Sequence, residues 1–127
     1  LLNMNPADFK TAEKYPNKQC GVFGEYCHPV KDLDKSIAFW KKLGFTVKSK
    51  MDEPYPHAIL SDDLMIIGLH QTSNFDYPAI TYFGIQTAER VNLLRKQGLS
   101  FTNMQGAANV VTTGWEGQHF FLFSLGM

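Results

Sequence analysis

The sequence is short of cysteine, of long apolar runs and of any surplus charge. Two cysteines in 127 residues, Cys20 and Cys27, cannot build a disulfide framework, and they lack the CxxC spacing and nearby partners of a structural zinc site. Thiols in a reducing compartment are the expected state, and the expected location is cytoplasmic. No apolar run approaches the roughly 20 residues that span a bilayer. The opening "LLNMNPADFK" has neither the charged region nor the apolar stretch of a signal peptide. The 12 Lys and Arg balance the 12 Asp and Glu, so no bulk field draws the chain to nucleic acid or an anionic membrane. Neither is an expected partner. The patterns GxGxxG, GxxxxGKS/T, GxSxG and HExxH are all missing, which removes support for nucleotide folds and standard hydrolases.

What is present is an arrangement that occurs twice. Residues 1–20, with Pro6 and Pro16, read as a lead-in arm, which would serve as a linker were the chain part of a longer protein. "CGVFGEYCHPV" is β-rich. "KDLDKSIAFWKKLGF" follows as a helix capped by Asp32 or Asp34, with Ile37, Trp40 and Leu43 on one face and Gly44 as its stop. "FTVKSKMD", "YPHAIL" and "LMIIGLH" are three strands, the last two joined by a tight turn at Ser61-Asp62-Asp63-Leu64. The second half repeats the order. "AITYFGI" is a strand ending at Ile85. Thr87 caps a helix with Val91 and Leu94 on its apolar face and Gly98 as its stop. "LSFTNM", "NVVTT" and "HFFLFSL" are strands, with "GWEGQ" as the last turn. The pairs Val30/Ile85 and Gly44/Gly98 are offset by about 54 residues, as in a duplicated unit. The reading is α+β: two βαβββ modules, 21–72 and 77–125, within one domain over 21–127.

"PVKDLDKSIAFWKKLGF" resembles the first strand-to-helix passage of the vicinal oxygen chelate superfamily, which includes glyoxalase I, extradiol dioxygenases and bleomycin-resistance proteins. "TTGWEGQHFFLFS" is similar to its closing hairpin. The resemblance implies a curved mixed sheet around a cup-shaped pocket, a small-molecule ligand, and often a homodimer. Metal-using members place a His or Glu near the start of the first strand and another on the fourth strand of each module. Carried onto this chain, those positions are Glu25, Gly68, Ile80 and Phe121. One ligating side chain in four does not hold a metal, so no metal cofactor is expected at the family positions, and Ile80 and Phe121 imply an apolar floor.

A two-residue hairpin at Asp62-Asp63 would pair residues whose numbers sum to about 125, setting His57 against Gly68 and Tyr55 against His70. Tyr55, His57, Gly68 and His70 then share one face. Tyr82 shares a face with Ile80, and His119 with Phe121. The expected ligand-binding residues are therefore Glu25, Tyr55, His57, Gly68, His70, Ile80, Tyr82, His119 and Phe121. His28 falls on the helix-facing side of its strand and reads as structural. Cys27 reads as inert packing. Glu25, a carboxylate among Phe23, Tyr26 and Cys27, is costly unless paired or used, and is the candidate general base. Two function classes follow: a metal-independent small-molecule-binding protein of the bleomycin-resistance type, or a glyoxalase-like lyase, isomerase or dioxygenase. The second would use Glu25 as a base or a relocated divalent metal on Glu25, His57, His70 and His119.

Overall fold

Both helices end where their glycines predict, and by the same device. In the computed structural model, which describes residues 19–84, 87–103 and 110–124 (the backbone alone at 103, 110 and 124), helix α1 spans Leu33–Lys42 and helix α2 spans Thr87–Lys96. Gly44 and Gly98 have φ of 100° and 99°, a region that costs glycine nothing. After α1, Gly44 N–H donates to the Lys41 carbonyl at 3.0 Å and Phe45 N–H to the Trp40 carbonyl at 3.2 Å. After α2, Gly98 donates to Arg95 at 2.9 Å and Leu99 to Leu94 at 3.2 Å. This pair of bonds is the Schellman closure, and its usual apolar contact is present after α1, where the Phe45 and Trp40 rings lie 5.0 Å apart. At the start of α1, Asp32 is the cap, its Oδ1 accepting from Lys35 N–H at 3.1 Å.

The chain divides into two compact units. One is Glu25–Ala79; the other combines the residues up to Gly24 with those from Ile80 on. In the first, β1 (Val22–Pro29), β2 (Thr46–Met51), β3 (His57–Ser61) and β4 (Ile66–His70) lie in the order β2-β3-β4-β1. β3 is antiparallel to β2 and β4, whereas β1 and β4 are parallel, so this sheet is mixed. In the second unit β5 (Ala79–Gly84), β6 (Thr102–Asn103), β7 (Val110–Thr113) and β8 (His119–Ser124) lie in the order β5-β8-β7-β6. The duplicated βαβββ order is therefore real. The predicted strand end Ile85 and the arm residues 1–18 lie outside the described residues.

α1 packs Leu33, Ile37 and Trp40 onto Ala58, Leu60, Ile67 and Leu69. Leu43 does not join them and is 58% exposed. It caps the helix, where the chain is already turning away, and Phe45 takes its place in the core. α2 packs Val91 and Leu94 against Leu122. Thr87 is inside α2 and not a cap acceptor: its Oγ1 donates to the carbonyls of Gly84 (3.1 Å) and Phe123 (3.3 Å), tying the helix start to β8.

Within the second unit, Thr81 is fully buried and its hydroxyl finds no hydrogen-bond partner among the described residues. An unmatched buried hydroxyl costs about 1–3 kcal/mol. Thr81→Val, which keeps the branched shape, is expected to raise unfolding stability by about 1 kcal/mol in urea titrations. A loss of stability would mean that this hydroxyl has a partner.

Candidate functional site

The turn between β3 and β4 sets the register of the candidate site. It is a four-residue loop, Asp62–Met65, not a two-residue hairpin. Asp62 Oδ1 accepts from Met65 N–H at 2.8 Å and from Leu64 N–H at 3.1 Å, and Ser61 Oγ accepts from Asp63 N–H at 3.0 Å. Those donors, Met65 first, hold the Asp62 carboxyl below its ordinary value. An aspartate side chain has thus replaced a backbone turn. The paired residues sum to 127, from Ser61↔Ile66 to His57↔His70, correcting the expected 125. The slip is two residues, and because the side-chain period is also two, His57, Gly68 and His70 still share the predicted face.

Across from them, β1 pairs Cys27 with Gly68 and Pro29 with His70. Glu25 and Cys27, two residues apart, share a face of β1. Glu25 and His70 are 2% and 0% exposed. Their contact is short, His70 Nε2 to Glu25 Oε2 at 2.6 Å. On its other side, His70 Nδ1 meets the Tyr55 hydroxyl at 3.0 Å. Tyr55 arrives from the segment ahead of β3, not as the predicted cross-strand partner. Gln71 N–H donates to the Pro56 carbonyl at 2.9 Å and fastens that segment to the end of β4. His57 Nδ1 lies 2.8 Å from the Tyr55 carbonyl. A carbonyl only accepts, so that nitrogen carries the proton. The His57 and His70 rings stack at 5.7 Å, 3° from parallel, and the Phe75 edge closes on His70 at 6.0 Å.

Gly68 has a specific reason for being glycine. A Cβ built there would fall within the Glu25 carboxylate. The space left by the missing side chain is filled by the carboxylate of the neighbouring strand, which then reaches His70. Glu25 is no solvent-facing base: it stands behind His70, and Tyr55 is the half-buried end of the chain. Burial first, then negative charge on Cys27 and Glu25, pushes the Tyr55 phenol from 10.0 up to about 12. A phenol raised in the folded state favours the protonated form. Its stabilising contribution is complete below pH 10.0 and is lost as pH rises toward about 12. Over that window the protein is expected to lose about 2 kcal/mol more unfolding free energy than Tyr55→Phe. Urea titrations at paired pH values measure this, and equal losses would remove Tyr55 as the cause.

In the second unit, Ile80 and Tyr82 share one face of β5, while Ala79, Thr81 and Phe83 share the other. Phe83 meets Phe123 at 5.6 Å, and Phe123 stacks with Phe121 at 5.7 Å. Phe121 therefore lies on the Phe83 side, and Ile80 and Tyr82 do not join it. Ile80 is placed five residues before Ile85, 55 residues on from Glu25; the 54-residue offset between Gly44 and Gly98 gives Ala79 instead, and one residue is enough to reverse a side chain. His119, half-buried, pairs with Thr113 across the closing hairpin. His28 meets Tyr26 edge-on at 5.5 Å, and Tyr26 packs against the α1 core, the predicted helix side.

No family model matches the sequence, and no curated protein matches it. Among solved structures, a glyoxalase/bleomycin resistance protein/dioxygenase superfamily member from Vibrio splendidus 12B01 is similar over 81% of this chain and 98% of that one, with TM-score 0.55 and 15% identity. The chain has the glyoxalase/bleomycin-resistance fold. Weaker likenesses are TioX from Micromonospora sp. ML1 (12% identity, 82% of this chain, 96% of that chain, TM-score 0.36) and FosX from Listeria monocytogenes complexed with Mn(II) and sulfate ion (14%, 82%, 90%, TM-score 0.34). At 15% identity the likeness to the Vibrio splendidus protein is one of fold alone. Among the described residues no helix is long and apolar enough to cross a membrane.

Within this glyoxalase/bleomycin-resistance fold, the metal positions implied by the resemblance offer one donor, Glu25. A different set is nearby: ligand atoms of Glu25, Cys27 and His70 lie within 4.8 Å of one another, all buried. Cys27 reads as inert packing in the sequence because, although Glu25 shares its strand face, His70 comes from β4. The three donor types suit zinc, but the Glu25–His70 separation of 2.6 Å does not. Two such ligands on a tetrahedral zinc with bonds of about 2.0–2.1 Å stand about 3.3 Å apart. As held, the pair stands at hydrogen-bond distance.

Proposed function

We propose that this chain is a small-molecule-binding protein of the glyoxalase/bleomycin-resistance type that recognises its ligand without a metal, as a homodimer in the cytoplasm. The observation that carries this reading is the Glu25–His70–Tyr55 chain. A buried carboxylate and imidazole cost several kcal/mol against apolar residues of the same volume, by order of magnitude. Their hydrogen bonds satisfy one another and end on a half-buried phenol, which supports a role in holding a ligand's polar group. Tyr55 and His57 form the near wall of that site, and His70 and Glu25 stand behind them.

A second reading rests on Cys27. A divalent cation on the Cys27 thiolate, the Glu25 carboxylate and a neutral His70 would form a charge-neutral buried centre, once the pair had opened from its present distance. Metal analysis of the purified protein separates the two. The expected result is zinc, iron, manganese and nickel all well below one equivalent. A stoichiometric metal that is lost in Cys27→Ser and His70→Ala would overturn metal independence. In a thermal-shift screen of small molecules, hits are expected to weaken in Tyr55→Phe; hits indifferent to Tyr55 and His57 would place the ligand elsewhere. Sedimentation at micromolar concentration is expected to show a dimer, and a monomer throughout would end that part of the proposal.

A further inference from the structure

A cleft of about 340 Å³ lies in the second unit, between the turn that follows α2 and the β7–β8 hairpin. Leu99 and Ser100 line it from the turn, and Thr113 and Trp115 from the hairpin. Phe120 of β8, half-buried, also lines it and packs on the cluster of Val91, Leu94 and Leu122. Hydrogen bonds fix both walls. On one side, Gly98 and Leu99 make the closing bonds of α2. On the other, Gly114 N–H donates to the Gln118 carbonyl at 2.7 Å, and Gly117 N–H to the Gly114 carbonyl at 2.9 Å. Thr112 Oγ1 donates to the Ser100 carbonyl at 2.7 Å and ties one wall to the other. The cleft is built in advance, so a ligand entering it has little left to order.

The lining selects the ligand's chemistry. None of the described residues that line the cleft is ionisable, so a charged ligand would lose water with no counter-charge to meet it. Ser100 and Thr113, both exposed, each offer a hydroxyl that donates and accepts. Trp115 is 95% exposed on a turn bounded by Gly114 and Gly117. The face of its indole carries negative potential, which attracts polarised C–H groups, and its N–H is a further donor. A flat aromatic guest would cover the indole but leave the dried hydroxyls unmatched. A saturated ring with hydroxyls around its rim suits both features. We propose that this cleft binds an uncharged sugar ring, one C–H face against Trp115 and its hydroxyls on Ser100 and Thr113. Phe120 faces α2, whereas Phe121 and Phe123 alternate with it, so the cleft lies on the helix side of β8. It shares no residue with the Tyr55 site and stands or falls independently of the reading proposed there.

The test titrates the full chain, labelled with nitrogen-15, with methyl β-D-glucopyranoside. The sequence has two tryptophans, so two indole N–H signals report. Trp115→Phe assigns them, and Trp40, packed against the α1 core, is the internal control. The Trp115 signal is expected to shift saturably while Trp40 stays, with a dissociation constant of about 1 mM, the level ordinary ligand efficiency allows one sugar ring. Ser100→Ala and Thr113→Val are each expected to weaken binding about three- to tenfold. Trp115→Ala, followed through the Ser100 and Thr113 amide signals, is expected to abolish it. All three positions are exposed, so these variants keep the fold. Tyr55→Phe is expected to leave the titration unchanged. A Trp115 signal that has not begun to saturate by about 100 mM overturns the proposal. So does binding that survives Trp115→Ala, that ignores both hydroxyls, or that is lost in Tyr55→Phe. Phenol, a flat aromatic ring, is expected to bind more weakly than the glucoside, and tighter phenol binding is a further disproof. Sedimentation of Trp115→Ala is expected to match the parent; a changed oligomeric state would make the indole a contact between copies of this chain and end the proposal.

Discussion

Gly68→Ala is expected to destabilise the protein by about 3 kcal/mol or more, a large fraction of the 5–15 kcal/mol that ordinarily holds a domain together. One methyl group is responsible. Its position is already taken by the Glu25 carboxylate, which stands 2% exposed between β1 and β4. The carboxylate has no water to retreat into, and moving it breaks the 2.6 Å contact with His70. Overpacking alone costs about 1–3 kcal/mol, and breaking a buried pair costs about 3–5. The two are not additive here, since one displacement causes both. Urea denaturation of Gly68→Ala, Glu25→Ala and the double variant gives the coupling. In the Glu25→Ala background the same methyl group is expected to cost less than about 1 kcal/mol. A Gly68→Ala protein as stable as the parent would show that the space is open, and that glycine is there for a ligand.

Glu25→Ala is the second large effect, expected at about 3–5 kcal/mol by the same denaturation measurement. It leaves His70, which is fully buried, with an unmatched Nε2 and a cavity beside Gly68. Glu25→Gln keeps the volume and an oxygen acceptor, so it is expected to cost less than half as much. The paired change Glu25→Leu with His70→Leu separates stability from use. Replacing both partners of a buried pair by apolar residues is often neutral or stabilising by about 1–4 kcal/mol. The paired variant is expected to fold with near-parental stability and to lose the ligand response of Tyr55. If Glu25→Ala cost less than about 1 kcal/mol, the pair would not be desolvated as described.

These two substitutions also mark where sequence reading reached its limit. Gly68 stands out in "DLMIIGLHQ" as a glycine inside a strand, and the resemblance sets it at a position implied to carry a metal ligand. The natural inference is a space opened for a guest. The space is instead filled from within, by a carboxylate whose own presence in a half-buried strand was the other anomaly. The two oddities explain each other, and only their distance shows it. Likewise, Tyr55 was placed opposite His70 by a hairpin register that the chain does not use. It still reaches His70 because a phenol on a neighbouring segment is long enough, and because Gln71 ties that segment down.

The sequence by itself determined the features written within a few consecutive residues. Asp32 caps α1 because a carboxylate oxygen reaches a free N–H three residues on. Gly44 and Gly98 close both helices because only glycine takes positive φ without strain. The doubled βαβββ order followed from those signals, and the common face of His57, Gly68 and His70 survived an error in register because alternation has the same period as the slip. Tertiary structure alone decided what depends on reach across strands. It brought His70 beside Glu25 and Cys27, turned Ile80 and Tyr82 away from Phe121, and set a carboxylate 2.6 Å from an imidazole. Periodicity fixes a side chain's face to within one residue's uncertainty. A proton's position requires donor–acceptor distances known to a fraction of an ångström, and these come only from strands packed together.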